Sequence, residues 1–347
     1  MDKVRIGVVG CGSVSAHYLA HLRECRLVEL AAACDVIESR FRERMAEFKI
    51  PDGFCSVDAM IGAVEFDLLL NLTSMPPHYA INKRALQAGR HVFCEKPFAQ
   101  TYAEGKELLD LAREKGVRLW AAPNVVTSPQ FRYMAKALAD GMIGKVHAAH
   151  ACYGHSGPSW GPWFYKEGGG SIHDLAVYNL TTITGLLGPA KSVVALTGIA
   201  IPERTVEQEK VQVTADDNVM ILLDHGDAVF SHVQSGFVYR TSNEDRTIEL
   251  IGTRGAMNLL GWDWAPRGVQ VRLECEHGWQ ARCTAPQDYT WEAGAGHIAE
   301  CLVSGTESLM TAEHALHVVA IMAAAHESSK TGRRIRITST FPWPVIR

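Results

Sequence analysis

Short apolar runs, VRIGVVG, LVELAAACD, FDLLLNLTS, HVFCE and VRLWAAP, alternate with amphipathic segments up to about residue 125. The intervening stretches SVSAHYLAHLREC, ESRFRERMAEF, HYAINKRALQAG and YAEGKELLDLAREKG carry apolar residues at helical spacing. Strands covered on both faces read as continuous apolar runs, and parallel neighbours need crossovers long enough for a helix. Residues 1–125 are therefore predicted to form a doubly wound α/β domain on a parallel sheet.

Beyond SPQFRYMAKALADG the texture changes. KVHAAHACYG, KSVVALTG, VQVTADDNVMILLDHG, DAVFSHVQSGF and RTIELIGTRGAMNLL read as strands joined by turns, with one helical insertion, SIHDLAVYNLTTITGLLG. GHIAECLVSG and TAEHALHVVAIMAAAHESSKTG return to helix before a short RIRIT strand. The expectation for residues 126–347 is an α+β domain with a large, mostly antiparallel open sheet. Its C-terminal segment is free to pack back on the first domain. No internal repeat or low-complexity linker interrupts the chain.

Composition narrows the function classes. At 347 residues with 47% apolar and 21% charged positions, two domains with real cores are expected. A net charge of −4 with scattered Lys and Arg offers no basic stripe for nucleic acid, and no apolar run approaches a membrane span. Single cysteines at 11, 25, 34, 55, 94, 152, 275, 283 and 301 form no C-x-x-C pair and read as reduced thiols, hence a soluble cytoplasmic protein. MDKVRIGVVG reads as a strand and not as a secretory leader.

VRIGVVGCGSVSAHYLAHL runs strand, glycine turn, helix, matching G-x-G-x-x-G with Ser15 at the third glycine. Gly10 permits the tight turn and Gly12 lets a pyrophosphate approach the backbone. Ser13 and Val14 open the helix whose amides face that anion. Asp35 ends the next strand, about 20 residues on, where a carboxylate holds ribose hydroxyls and repels a 2′-phosphate. NAD is thereby favoured over NADP, although Arg40 nearby supplies a guanidinium able to meet a phosphate. Read blandly, Asp35 caps the ESRFRERM helix.

This fingerprint, the run NLTSMPPHYAINKRALQAGRHVFCEKP and the later EGGGSIHDLAVYNL together resemble the glucose-fructose oxidoreductase, inositol dehydrogenase and rhizopine-catabolism family, Gfo/Idh/MocA. The resemblance implies a Rossmann NAD domain followed by a substrate-binding and oligomerisation domain. It assigns the catalytic lysine of the E-K-P motif to Lys96, and it places Glu95 with Lys96 on the cofactor side. The family's T-P-N-x-x-H turn matches only at its ends, as Thr73, Ser74 and then His78, also cofactor contacts. The aspartate and histidine of the second-domain helix align with Asp174 and Tyr178, so a tyrosine stands where the histidine is usual. Asn124, just after VRLWAAP, is a candidate contact to nicotinamide or substrate by position.

Asp174 and Tyr178 are four residues apart and share a helix face. Ser171 followed by Asp174 also has the spacing of a capping box, and Tyr178 is equally compatible with a core aromatic. Trp160 and Trp163 in GHSGPSWGPWFYKEGGGS suit the apolar face of a sugar and His155 a hydroxyl, unless the loop is a hydrophobic plug. His314 and His317 are three apart without a legible third ligand, so no metal is expected. Hydride leaves a carbinol carbon only as its hydroxyl loses a proton, which suits Lys96 as oxyanion stabiliser and Tyr178 as acid/base. The expected activity is NAD(P)-dependent oxidation of a secondary alcohol of a sugar, polyol or cyclitol, by a homodimer or homotetramer. An NAD-dependent glycosidase working through transient oxidation, and a non-catalytic cofactor-sensing regulator, stay open as alternatives.

Overall fold

The apolar runs become strands because they are shielded on both sides: Val4, Ile6 and Val8, like Leu68, Leu69 and Leu70, have no exposed surface. In the computed structural model, which describes residues 2–240, 246–284 and 289–346, the chain divides into two compact units. These are Met1–Asn124 with Trp291–Ala315, and Val125–Thr290 with Leu316–Arg347. All nine cysteines are unpaired with one another.

The first unit is a parallel sheet of β1 (Val4–Val9), β2 (Val28–Cys34), β3 (Asp52–Phe54), β4 (Leu68–Asn71), β5 (His91–Cys94) and β6 (Leu119–Ala121). Crossovers are made by α1 (Ser13–Glu24), α2 (Glu38–Phe48), α3 (Val57–Ala63), α4 (His78–Gln87) and α5 (Tyr102–Lys115). The strand order 3-2-1-4-5-6 reverses between β1 and β4, and in such sheets ligands bind beyond the strand C-termini at that switch point. The loops after β1, β4, β5 and β6 carry Gly10, Thr73, Lys96 and Asn124 respectively.

The second unit carries a nine-stranded sheet that includes β7 (Val146–Gly154) and β8 (Ser192–Gly198), with a separate hairpin of β9 (Glu203–Val206) and β10 (Glu209–Gln212). The sheet continues with β11 (Asn218–Gly226), β12 (Val229–Gly236), β13 (Ile248–Gly252), β14 (Gly255–Trp262), β15 (Ala265–Leu273), β16 (Gln280–Arg282) and β17 (Ile335–Arg336). Its order is 16-15-14-13-7-12-11-8-17, and every pairing except β7 with β12 is antiparallel. Strand alternation divides its faces: Val219, Ile221 and Leu223 are buried, whereas Met220 and Leu222 between them are exposed. The helices α6 (Pro129–Ala139) and α7 (Val177–Leu187) pack against this sheet. Later in the chain, α8 (Gly294–Ser304) packs on α1 and β1 of the first unit. The long α9 (Ala312–Thr331) presents Ser328, whose hydroxyl accepts the Ala195 amide of β8 at 3.0 Å.

Two segments depart from the predicted pattern. VQVTADDNVMILLDHG is one strand by its residues, yet it divides into β10 and β11 at Asp216 and Asp217. Both carboxylates are buried and serve backbone amides elsewhere: Asp216 accepts from Ile172 at 2.9 Å, and Asp217 from Ala200 and Ile201 at 2.6 and 3.0 Å. The helix predicted from SIHDLAVYNL begins instead as a single π-helical turn, Ile172–Ala176, before α7. Such turns are rare and recur at functional sites.

Candidate functional site

In the first unit the glycine turn is shaped by close approach. Gly10 has φ +91°, and a Cβ there would lie 2.6 Å from the backbone of Leu72 and Thr73. Nothing lies within 4 Å of a Cβ at Gly12, whose bare N-cap leaves the first amides of α1 without a side-chain cap. Ser13 and Val14 are exposed at that helix start. The Ser15 hydroxyl donates to Gly12 O at 2.6 Å, which fastens the turn where the motif has its third glycine.

Asp35 is buried, with Oδ2 accepting from Cys11 N at 2.8 Å and Oδ1 from Ile37 N at 2.9 Å. The carboxylate thus joins the end of β2 to the glycine turn, and the helix-cap reading fails because α2 is capped at Ile37 without a side-chain bond. Arg40 sits exposed on α2. The guanidinium that reaches the glycine turn is that of Arg44, whose Nε donates to Ser15 Oγ at 3.2 Å while Nη1 pairs with Glu47 at 2.5 Å. Sequence distance alone gave no reason to choose the residue one helical turn further on.

The loops after β4 and β5 are tied together by a buried polar network that the sequence did not announce. Asn71 Nδ2 donates to Asn82 Oδ1 at 2.9 Å, and Asn71 Oδ1 accepts from Thr73 Oγ1 at 2.7 Å. Asn82 Nδ2 in turn donates to Phe98 O at 3.0 Å. His78 is buried, with Nδ1 2.7 Å from Pro97 O and Nε2 3.0 Å from Thr73 O. Burial lowers its pKa against the pull of both carbonyls. His78 thus bridges the two loops, one ring nitrogen facing the carbonyl of each. Thr73 and Ser74 remain half-buried in the loop it holds.

Lys96 follows β5 directly, half-buried, with a cis peptide bond to Pro97. Glu95 Oε2 accepts the Lys96 amide at 3.0 Å, and Glu95 Oε1 accepts from Tyr18 Oη at 2.6 Å. Tyr18 is fully buried on α1, with Trp291 packed edge-on at 5.5 Å. The E-K-P loop is therefore held by a phenol from the glycine-turn helix. Asn124 is buried after β6, beneath Gly294 at the start of α8.

In the second unit the glycine run before the π turn is required by space. Gly170 has φ +93°, and a Cβ there would meet Asp216 Oδ1 at 2.6 Å. Ser171 makes no capping box: its hydroxyl donates to Asp216 Oδ2 at 2.7 Å, and the turn has no side-chain cap. Asp174 is buried in that turn. Tyr178 lies one turn later, half-buried, with its ring edge-on to Tyr153 at 6.0 Å.

Aromatic residues from two segments lie near Tyr178. Trp163 stacks on Phe164 at 3.7 Å, and Trp160, 55% exposed, packs edge-on to the same ring. Tyr165 is buried with its hydroxyl donating to Pro158 O at 2.6 Å. The loop also packs on the end of β12, with the Phe164 and Tyr165 rings 6.5 and 5.6 Å from that of Phe237. His155 does reach the Tyr178 neighbourhood, lying 6.1 Å from the Tyr153 ring with Nδ1 accepting the Gly157 amide. Tyr153 also contacts Trp262 at 4.7 Å and Trp264 at 6.4 Å, two residues that lie 84 and more positions beyond Tyr178 in sequence order.

Asp263 between those tryptophans is fully enclosed, and burial pushes its carboxyl up to about 6 although Thr182 and Asn179 both donate to it. The folded state therefore binds this proton more tightly than the unfolded chain, whose aspartate titrates near 3.9. The stabilisation is complete below about pH 4 and is lost as pH rises through about 6, a change of roughly 3 kcal/mol. Asn179 Oδ1 has no partner, so an asparagine at 263 can donate to it once the amide turns over. Asp263→Asn is expected to raise stability at pH 8 and to flatten its dependence between pH 5 and 8, measured by urea unfolding at both pH values. An unchanged pH dependence would assign it to other groups.

His314 and His317 are both buried. His317 Nε2 accepts the Ala190 amide at 2.9 Å and Nδ1 lies 2.9 Å from Ser339 Oγ, with burial lowering its pKa to about 4. Among the described residues no group of three His, Cys, Asp or Glu side chains is placed to hold a metal, and no helix is long and apolar enough to cross a membrane.

Residues 4–122 match the model of the GFO_IDH_MocA oxidoreductase family with an NAD-binding Rossmann fold, and residues 131–258 match the GFO/IDH/MocA C-terminal domain. The chain is 25% identical to D-apiose dehydrogenase of Paraburkholderia graminis over 96% of this chain and 89% of that protein. It is 28% identical to trans-1,2-dihydrobenzene-1,2-diol dehydrogenase of Macaca fascicularis over 87% and 89%. Levoglucosan dehydrogenase, solved with NADH and levoglucosan, shares the fold at TM-score 0.86 and 20% identity, covering 97% of this chain and 100% of that one.

Proposed function

Since the chain belongs to the Gfo/Idh/MocA oxidoreductase family, we propose that it oxidises a secondary alcohol of a sugar, polyol or cyclitol with NAD. The observation that carries this reading is Asp174: a buried carboxylate in a π turn, one turn from a half-buried Tyr178. Relatives named as dehydrogenases of D-apiose and of a vicinal dihydrodiol support the substrate class.

The first unit fits a dinucleotide: Gly12 leaves open space, α1 begins without a side-chain cap, and Asp35 stands at the end of β2. When bound, the nicotinamide accepts the hydride. Ser13 and Val14 lie where their amides meet the pyrophosphate, and Asp35 takes the adenosine ribose. Thr73, Ser74 and Glu95 shape the remaining wall, with Asn124 at the nicotinamide or substrate. Lys96 stabilises the oxygen that gains charge, Tyr178 receives its proton, and Asp174 orients the pair or balances its charge. A panel of sugars and polyols assayed with NAD and NADP by nicotinamide absorbance tests the reading; no net reduction with any of them would defeat it.

NAD preference rests on Asp35. Asp35→Ser should move the NAD to NADP efficiency ratio at least about tenfold towards NADP, the equivalent of one charged hydrogen bond. Equal wild-type efficiency with the two cofactors would sink this.

Self-association, as homodimer or homotetramer, is proposed through the open face of the nine-stranded sheet. Val194, Leu196, Met220, Leu222, Phe230 and Ile251 are exposed there across several strands, with Leu196 at 71%. Such an apolar face on a monomer favours burial against a copy of itself. Light scattering at micromolar concentration is expected to give at least a dimer, and a monomeric mass would rule the assembly out.

A further inference from the structure

The tip of the β14–β15 hairpin reads Trp262-Asp263-Trp264, and its three side chains divide between two roles. Asp263 is buried against α7, accepting from Asn179 Nδ2 at 3.0 Å and from Thr182 Oγ1 at 2.7 Å. Asn179 is the residue after Tyr178, so the hairpin is latched to the catalytic helix beside its proposed acid/base. The two tryptophans remain half-buried and both lie against Tyr153, at 4.7 and 6.4 Å, while Tyr153 meets the Tyr178 ring edge-on at 6.0 Å. With ring planes inclined 41° and 51° to Tyr153, the indoles form a faceted aromatic surface that is only partly used in packing.

We infer that Trp262 and Trp264 form a platform for the substrate ring and determine a preference for cyclic over open-chain polyols. A half-buried indole gives up more apolar surface on binding than a polar side chain at the same position, and its face accepts the C–H bonds of a rigid ring. An open-chain polyol has no persistent apolar face and loses rotational freedom when held flat, so it gains less from the same surface. The latch explains why this platform is carried on a turn: buried hydrogen bonds to α7 fix the indoles relative to Tyr178 more firmly than a free loop tip allows. The assignment rests on Tyr178 belonging to the reaction site, as proposed above.

The test compares wild type with Trp262→Ala, Trp264→Ala and the corresponding phenylalanine variants. Cyclic probes are D-xylose, myo-inositol and levoglucosan, and open-chain probes are xylitol and D-sorbitol. Either alanine variant should raise KM for a cyclic substrate at least about tenfold, with a smaller fall in kcat, an unchanged KM for NAD and partial recovery in phenylalanine. Open-chain substrates should respond less than threefold. Equal effects on both classes, or no effect on KM, would overturn the platform. Indole fluorescence titrated with the same probes separates the two readings. Quenching by cyclic probes that disappears in the alanine variants, without turnover in wild type, keeps the platform and defeats the proposed oxidation. Turnover with KM values indifferent to both tryptophans keeps the oxidation and defeats the platform.

Discussion

Replacing Lys96 by alanine is expected to lower turnover at least about a hundredfold while NAD still binds. A preorganised cation at developing negative charge is worth this much because it acts where water no longer screens it. The backbone of Lys96 is firmly held, since its amide is bound by Glu95 and Glu95 is fixed by the buried Tyr18 hydroxyl at 2.6 Å. It also lies between β5 and the carbonyls engaged by His78 and Asn82. Removing the side chain leaves these bonds in place, so the loss should fall on kcat and not on NAD affinity. Steady-state kinetics with NAD titration calorimetry would check both, and a kcat within threefold of wild type would remove Lys96 from the chemistry.

Tyr178→Phe should likewise cost at least about a hundredfold in the same assay, the lower range for a lost proton-transfer group. The ring and its edge-on contact with Tyr153 survive this change, so the variant should still fold, as its melting curve would check. If Tyr178 transfers the proton, the wild-type pH–rate profile should carry a limb that disappears in the phenylalanine variant. Near wild-type turnover across the pH range would shift proton transfer to Lys96, Asp174 or water and return Tyr178 to packing.

The first unit was legible because its signals are local. Gly10, Gly12, Ser15 and Asp35 belong to one strand-turn-helix-strand unit, and the continuous apolar runs on either side can be buried only in a parallel sheet. The E-K-P stretch was legible as a loop after a strand, and Asp174 with Tyr178 as one helix face. The tertiary structure then supplied partners that the sequence does not show. His78 and Asn82 are indistinguishable from surface helix residues until α4 is docked on β5, where their ring and amide meet the Pro97 and Phe98 carbonyls. Arg44 becomes the neighbour of the glycine turn only when α2 packs against α1.

The aromatic surroundings of Tyr178 depended most on the fold. Trp160 and Trp163 pack on Phe164 in their own loop, and Tyr178 is also approached through Tyr153 by Trp262 and Trp264. Sequence periodicity by itself determined most strand and helix identities and the glycine turn, since each depends on residues within one or two turns of one another. Which helix was capped, which carboxylate anchored it and which rings lie about Tyr153 and Tyr178 were decided by sheet register and hairpin docking. Those contacts join residues such as Ser171 with Asp216 and Asn179 with Asp263, whose partners are selected only once the intervening strands have paired.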